Sequence, residues 1–142
     1  MIVSFDDTLD GAVVGTAELQ VNKAELGLAG DKPVLKVSYI ILEGEMQGPN
    51  KDIDPAGEYV NHTVWLPNDQ DDPAKIKNKK KMLMRFLKMH GIDTSQAVEL
   101  ADVPAFLVNN NVVVKALLDV DDYALKNRGE AVTAVKRFYP AD

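Results

Sequence analysis

The sequence predicts a mainly β fold that also contains one well-marked helix. Five stretches have the alternation or the β-branched and aromatic composition of strands: residues 12–21, 34–43, 58–66, 112–120 and 131–139. Between the third and fourth of them, residues 73–91 carry apolar side chains at helical spacing. The chain has 142 residues, enough for one domain with a substantial core. We therefore expect a single domain over residues 1–142.

The predicted helix has clear boundaries. Asp71 or Asp72 can cap it, Pro73 suits its first turn, and Gly91 can end it in the left-handed conformation. One side carries the apolar residues and a histidine, namely Ile76, Leu83, Phe86, Leu87 and His90. The nearly opposite side carries Lys77, Lys81, Arg85 and Lys88. We expect the first side to pack on a core and the second to face water or an anion.

The charge distribution is uneven. Residues 74–91 contain seven Lys or Arg and no Asp or Glu. The whole chain has 16 basic and 22 acidic residues, so nine basic residues stand against 22 acidic ones elsewhere, a balance of −13. Any polyanion must therefore be bound by a local basic patch, because the net charge of −6 opposes adhesion over the whole surface.

The first two strands lie on either side of a turn. The stretch at 12–21 contains Gly15, which indicates a bulge or a strong bend, and residues 27–33 have the composition of a turn. The stretch at 34–43 places Leu35, Val37, Tyr39 and Ile41 on one face. Residues 44–57 are rich in Gly and Pro and predict a long flexible loop.

The third strand, residues 58–66, suggests a binding surface. Val60, Val64 and Leu66 alternate with Tyr59, Asn61, Thr63 and Trp65. Two rings separated by small polar residues on an outward face could stack on bases. The alternative is that Trp65 belongs to the core.

The C-terminal half is less regular. Asp102 could cap a short helix that has Pro104 in its first turn and buries Ala105, Phe106 and Leu107, and residues 109–111 form a turn. Residues 121–130 are expected to be a polar connection. The sequence does not decide which face of the last strand is buried, because Val135 and Phe138 are three residues apart and point to opposite sides of a regular strand.

The order of three strands, one helix and two strands disfavours a doubly wound parallel sheet. It is the order of the oligonucleotide-binding (OB) fold, a small five-stranded barrel that binds its ligands over the second and third strands. We therefore expect an OB-like barrel with the helix between strands 3 and 4.

Four stretches carry a resemblance to a known family: PVLKVSYIILEGEMQG at 33–48, RFLKMHGI at 85–92, VVVKALLDVDDY at 112–123 and VKRFYP at 135–140. Together they resemble small phage-encoded proteins of replication and recombination modules, many of them catalogued as domains of unknown function. The resemblance covers roughly residues 12–140. It implies an OB-fold protein that binds single-stranded DNA in the host cytoplasm.

No catalytic or metal-binding motif is evident. The chain has no cysteine, no phosphate-binding glycine loop and no serine in a nucleophile elbow. His62 and His90 lack a second ligand at metal spacing, and His90 is expected to be partly protonated at the helix end. Asp119, Asp121 and Asp122 lack the pattern of a calcium loop. With no signal peptide or membrane span in the sequence, we expect a cytoplasmic protein that is not an enzyme and needs no cofactor.

The leading hypothesis is sequence-independent binding of single-stranded DNA, in which cations neutralise phosphates and rings stack on bases. Its candidate residues are Lys36, Tyr39, Tyr59, Trp65, Lys77, Lys81, Arg85, Lys88, Lys115, Arg128, Lys136 and Arg137. Replication or recombination proteins and a homo-oligomer are expected partners. The alternative is a protein-binding or structural phage module whose basic helix docks an acidic partner. A third hypothesis is a nuclease that uses the Asp119 cluster, which predicts magnesium-dependent cleavage of nucleic acid.

Overall fold

A computed structural model describes residues 1–140 and shows a mainly β protein in that range. Its strands are β1 (Gly15–Ala29), β2 (Lys32–Met46), β3 (Tyr59–Trp65), β4 (Val113–Val120) and β5 (Thr133–Tyr139). Its α-helices are α1 (Pro73–Met89), α2 (Val103–Asn109) and α3 (Asp122–Arg128), with single 3-10 turns at Gly48–Asn50 and Leu100–Asp102. The predicted order of three strands, a long helix and two strands is confirmed.

The strands form one antiparallel sheet in the order β3-β2-β1-β4-β5. No backbone ladder joins the end strands β3 and β5 within the described residues, so the sheet is open there. The two end strands nevertheless approach to within 8 Å between Cα atoms, and the rings of His62 and Phe138 meet at 5.1 Å between centroids. Helix α1 packs against both strands. The sheet is thus not closed into the expected barrel, although side chains of its two end strands meet.

The first hairpin is longer than the sequence predicted. Strand β1 continues to Ala29, and the turn consists of Gly30 and Asp31 alone, with Gly30 at φ +63°. The turn lies within the predicted range 27–33, but that range was too wide because Gly27 and Pro33 lie within the paired strands. The bulge predicted at Gly15 is not found there: Gly15 is the first residue of β1, and the register shifts of β1 against β2 lie at Glu18/Leu19 and Val21/Lys23. Gly15 has φ +144°, and an added Cβ would lie 1.9 Å from the carbonyl oxygen of Glu45.

A β-bulge resolves which face of β5 is buried. Arg137 pairs with Leu117 and Val135 pairs with Leu118, which leaves Lys136 as an extra residue in β5. The extra residue reverses the side-chain alternation, so Val135 and Phe138 both pack against the core. The regular alternation assumed from the sequence made one of them face outward, and that assumption was wrong.

Helix α1 has the predicted boundaries. The Asp72 side chain accepts a hydrogen bond from the backbone N–H of Lys75 at 2.9 Å, and Pro73 occupies the first turn. Gly91 follows the helix with φ +81°. Four of the five residues of the predicted apolar face are buried, Leu83, Phe86, Leu87 and the terminal His90, while Ile76 in the first turns is only half-buried.

Two shorter helices differ from the sequence prediction. Helix α2 has Pro104 in its first turn, but Asp102 makes no capping bond, and the buried residues are Val103 and Leu107 while Phe106 is exposed. The polar connection at 121–130 contains α3, which was missed. Its N-cap is Asp121, whose side chain accepts from the N–H of Ala124 at 3.2 Å.

One buried polar contact links the sheet to α1. Nδ1 of His90 lies 2.7 Å from the carbonyl oxygen of Phe86, which can only accept, so Nδ1 carries the proton. Nε2 of His90 therefore accepts from the hydroxyl of Tyr39, also at 2.7 Å. Burial lowers the pKa of His90 to about 4. The expected partly protonated helix-end histidine is instead a neutral core residue.

Candidate nucleic-acid interface

The outward face of β3 exposes two aromatic rings. Tyr59 is 61% exposed and Trp65 is 47% exposed, while Val60 and Val64 between them are buried. The predicted alternation is confirmed, and Trp65 is not a core residue. Lys36 lies opposite Thr63 on the neighbouring strand. Rings, small polar groups and a lysine therefore share one side of the sheet.

Tyr39, a predicted stacking residue, cannot serve this purpose. It is 0% exposed, and its ring contacts those of His90 and Phe138 at 5.9 and 6.1 Å between centroids. Its position in β2 is one of the inward positions, so the prediction that it stacks on bases was wrong.

A groove of about 560 Å³ lies along the open end of the sheet, between β3, α1 and β5. Apolar and aromatic side chains from all three elements line it, among them Val64, Met82, Phe86, Met89 and Phe138. Trp65 also lines it, so one of the two exposed rings of β3 borders the groove.

Within residues 1–140, the charged side chains that line the groove are all positive. Four cationic side chains line it, Lys79, Arg85, Lys136 and Arg137, and none of the lining residues in the described part of the chain is acidic. Lys79 is held by Asp71 at 2.6 Å, a contact that lowers the pKa of Asp71. Lys136 pairs with Asp122 at 3.3 Å across an exposed surface, where such pairs contribute little.

The two arginines of the groove are less constrained. Within residues 1–140 neither Arg85 nor Arg137 forms an ion pair. The guanidinium of Arg137 lies 5.4 Å from the centre of the Tyr139 ring, which holds it by a cation–π contact without neutralising its charge. Both guanidinium groups therefore remain able to bind an anion.

His62 adds an aromatic surface to the groove but no charge near neutral pH. Its ring stacks on Phe86 at 6.0 Å and meets Phe138 edge-on. Burial lowers the pKa of His62 to about 4. The groove thus combines a neutral aromatic interior with a cationic rim.

The remaining predicted cations lie elsewhere. Among the predicted α1 cations, only Arg85 lines the groove, while Lys77, Lys81 and Lys88 are exposed outside it. Lys115 borders a separate cavity of about 630 Å³ with Glu18 and Tyr139. Arg128 is exposed in α3. The structure thus brings together Trp65, Arg85, Lys136 and Arg137 from the predicted set.

Sequence reasoning missed the part of α1 that faces the groove. Lys79, Met82, Phe86 and Met89 follow one another at intervals of three, four and three, which is helical spacing. This line lies beside the core face, and the signal was present in the sequence. It was hidden because the abundant lysines suggested a single cationic face.

The acidic cluster has structural uses. Asp119 accepts from the N–H of Val120, Asp121 caps α3, and Asp122 pairs with Lys136. In the part of the chain that the structure describes, no three His, Cys, Asp or Glu side chains are grouped to hold a metal ion. No helix within that part is long and apolar enough to cross a membrane.

No protein-family model matches the sequence, and no curated protein is significantly similar to it. Functional inference therefore depends on the residues and the geometry of this chain.

Proposed function

We propose that the protein binds single-stranded DNA without sequence preference, along the outward face of β3 and in the groove beside it. One observation carries the proposal: the exposed ring of Trp65 borders a groove that four cations line, with no carboxylate among its lining residues in the range 1–140. A flexible polyanion with aromatic bases is complementary to both features.

The strand order supports an OB-type fold. An OB barrel opened between its third and fifth strands gives the linear order β3-β2-β1-β4-β5, with a helix after β3, as found here. The close approach of β3 and β5 agrees with a partly open barrel. In that fold oligonucleotides lie over the second and third strands, which here carry Lys36, Tyr59 and Trp65.

The residues divide into two roles. Tyr59 and Trp65 would stack on bases, and each such contact is typically worth about 1–3 kcal/mol. Arg85 and Arg137 would bind phosphates and release counterions, so affinity should fall as salt rises. Single-stranded substrate is favoured over duplex because the rings can stack only on bases that are unpaired. The resemblance to phage replication and recombination proteins suggests the setting in which such strands occur.

The test is a titration of fluorescently labelled oligothymidine followed by anisotropy at two salt concentrations. Binding should weaken steeply with salt and should quench the fluorescence of Trp65, the only tryptophan. Trp65→Ala should weaken binding by about 5- to 150-fold, the equivalent of 1–3 kcal/mol. Arg85→Glu should weaken it more than Lys77→Glu, a matched charge reversal on the same helix but outside the groove.

Unchanged anisotropy and Trp65 emission at low salt would refute the proposal. Equal losses in the Arg85 and Lys77 variants would instead exclude the groove as the path of the strand.

A second candidate is docking of an acidic protein on the far side of α1. It is favoured by the exposure of Lys77, Lys81 and Lys88 outside the groove. Reversing these three charges should abolish that docking while oligothymidine still quenches Trp65. If the same three reversals instead abolish DNA binding, although the residues of the groove are unchanged, the result would favour a path of the nucleic acid over the helix.

A further inference from the structure

The N-terminal segment, residues 1–7, exposes four large apolar side chains to solvent. Ile2 is 100% exposed and Phe5 is 70% exposed, and Met1 and Val3 are also exposed. The segment is followed by Leu9, which packs against the core and anchors it. Single exposed apolar residues are common, but four within five positions indicate a surface that another molecule covers.

This segment is also acidic. It contains Asp6 and Asp7 and no lysine or arginine, and Asp10 follows shortly after. The N–H of Thr8 donates to the carbonyl oxygen of Phe5 at 3.0 Å, which places Phe5 and the two aspartates together in one exposed turn.

The groove between β3, α1 and β5 has the complementary properties. Met82, Trp65 and the half-buried Phe138 provide an apolar surface, and Arg85 and Arg137 provide charge without ion pairs among the described residues. In the single chain the segment projects into solvent instead of filling this groove. The N-terminal segment of a second copy can therefore enter the groove, which the first copy's own segment does not occupy.

We propose that the N-terminal segment of one copy docks into the groove of a second copy, with Phe5 against the apolar surface and Asp6 and Asp7 against Arg85 and Arg137. Each copy has one segment and one groove, so the contact can close reciprocally into a dimer or extend into a chain. Docking would cover Trp65 and so compete with single-stranded DNA. The competition depends on the proposed function, whereas the docking does not.

A charge-swap experiment tests the contact in the 142-residue chain. Two variants are made, Asp6→Lys/Asp7→Lys and Arg85→Glu/Arg137→Glu, and their association is measured by sedimentation velocity with Trp65 emission as a second readout. Wild type should associate, more strongly at low salt, with a concentration-dependent change in Trp65 emission. Each variant alone should be monomeric. In the first variant the segment and the groove are both cationic, and in the second the acidic segment meets two new glutamates, since Lys79 and Lys136 are already paired with Asp71 and Asp122. An equimolar mixture should form a complex.

The matched control is Asp52→Asn/Asp54→Asn, which removes two exposed charges from the loop between β2 and β3. It should associate like wild type, and Asp6→Asn/Asp7→Asn should not. A wild type that stays monomeric at its highest soluble concentration overturns the proposal. A mixture that fails to associate also overturns it. So does a Trp65 emission that differs between wild type and Asp6→Lys/Asp7→Lys by the same amount at every protein concentration, because the segment would then occupy the groove of its own chain.

The two proposals fail separately. If association behaves as expected but oligothymidine does not bind any form, only the DNA-binding function is lost. If Asp6→Lys/Asp7→Lys binds oligothymidine as wild type does and wild type never associates, only the docking is lost.

Discussion

The buried His90 should make the protein lose stability as the pH falls below 6.5. Its pKa is lowered from 6.5 to about 4 in the folded chain, so the unfolded chain takes up a proton over this window and the folded chain does not. As far as this group is concerned, the free energy of unfolding has its full value above pH 6.5 and falls progressively down to about pH 4. A shift of this size corresponds to roughly 3 kcal/mol at 1.36 kcal/mol per pKa unit. That is a large share of the free energy of unfolding of an ordinary domain.

Urea denaturation at a series of pH values measures this effect. The variant His90→Gln keeps a neutral hydrogen-bonding side chain beside Tyr39, and its stability should depend less on pH between 6.5 and about 4. His62 has a pKa lowered in the same direction, so His62→Gln serves as the matched comparison and the double variant should be the least pH-dependent. Parallel loss of stability in wild type and His90→Gln would show that His90 is not held neutral, and the reasoning would fail.

Three further changes should alter stability, each measured by urea denaturation at neutral pH. Gly15→Ala should destabilise the protein by about 1–3 kcal/mol or more, because Gly15 has φ +144° and a Cβ would overlap the carbonyl oxygen of Glu45. Gly57→Ala is the control: Gly57 also has a positive φ, but no atom lies within 4 Å of its added Cβ, so this variant measures the cost of the backbone conformation alone. Asp72→Ala should cost about 0.5–2 kcal/mol through loss of the α1 cap. Tyr39→Phe should cost about 1–3 kcal/mol, because Nε2 of the buried histidine loses its donor.

The parts of the fold that depend on local chemistry could be read from the sequence. The boundaries of α1 follow from Asp72, Pro73 and Gly91, which act within one turn of the helix ends. The outward face of β3 follows from simple alternation. Both were predicted correctly because no distant residue changes them.

The parts that depend on pairing between distant segments could not be read. The bulge at Lys136 is defined only by the register of β5 on β4, and the sequence alone gives no register. For Tyr39, the alternation with Leu35, Val37 and Ile41 did indicate the inward face, and what the sequence does not show is its hydrogen-bond partner His90, 51 residues away. The groove exists because β3 and β5 approach each other, and strands separated by about 70 residues carry no local signal of that approach.

The hydrogen bond between Tyr39 and His90 fixes more than the distance between the sheet and α1. Successive residues on a helix are about 100° apart, so a rotation by one position would carry Arg85 away from the groove and turn a different side chain toward it. The buried bond, together with the Phe86 and His90 rings at 3.9 Å, opposes such a rotation. Uncharged atoms in the interior thereby determine which cations of a lysine-rich helix face the groove.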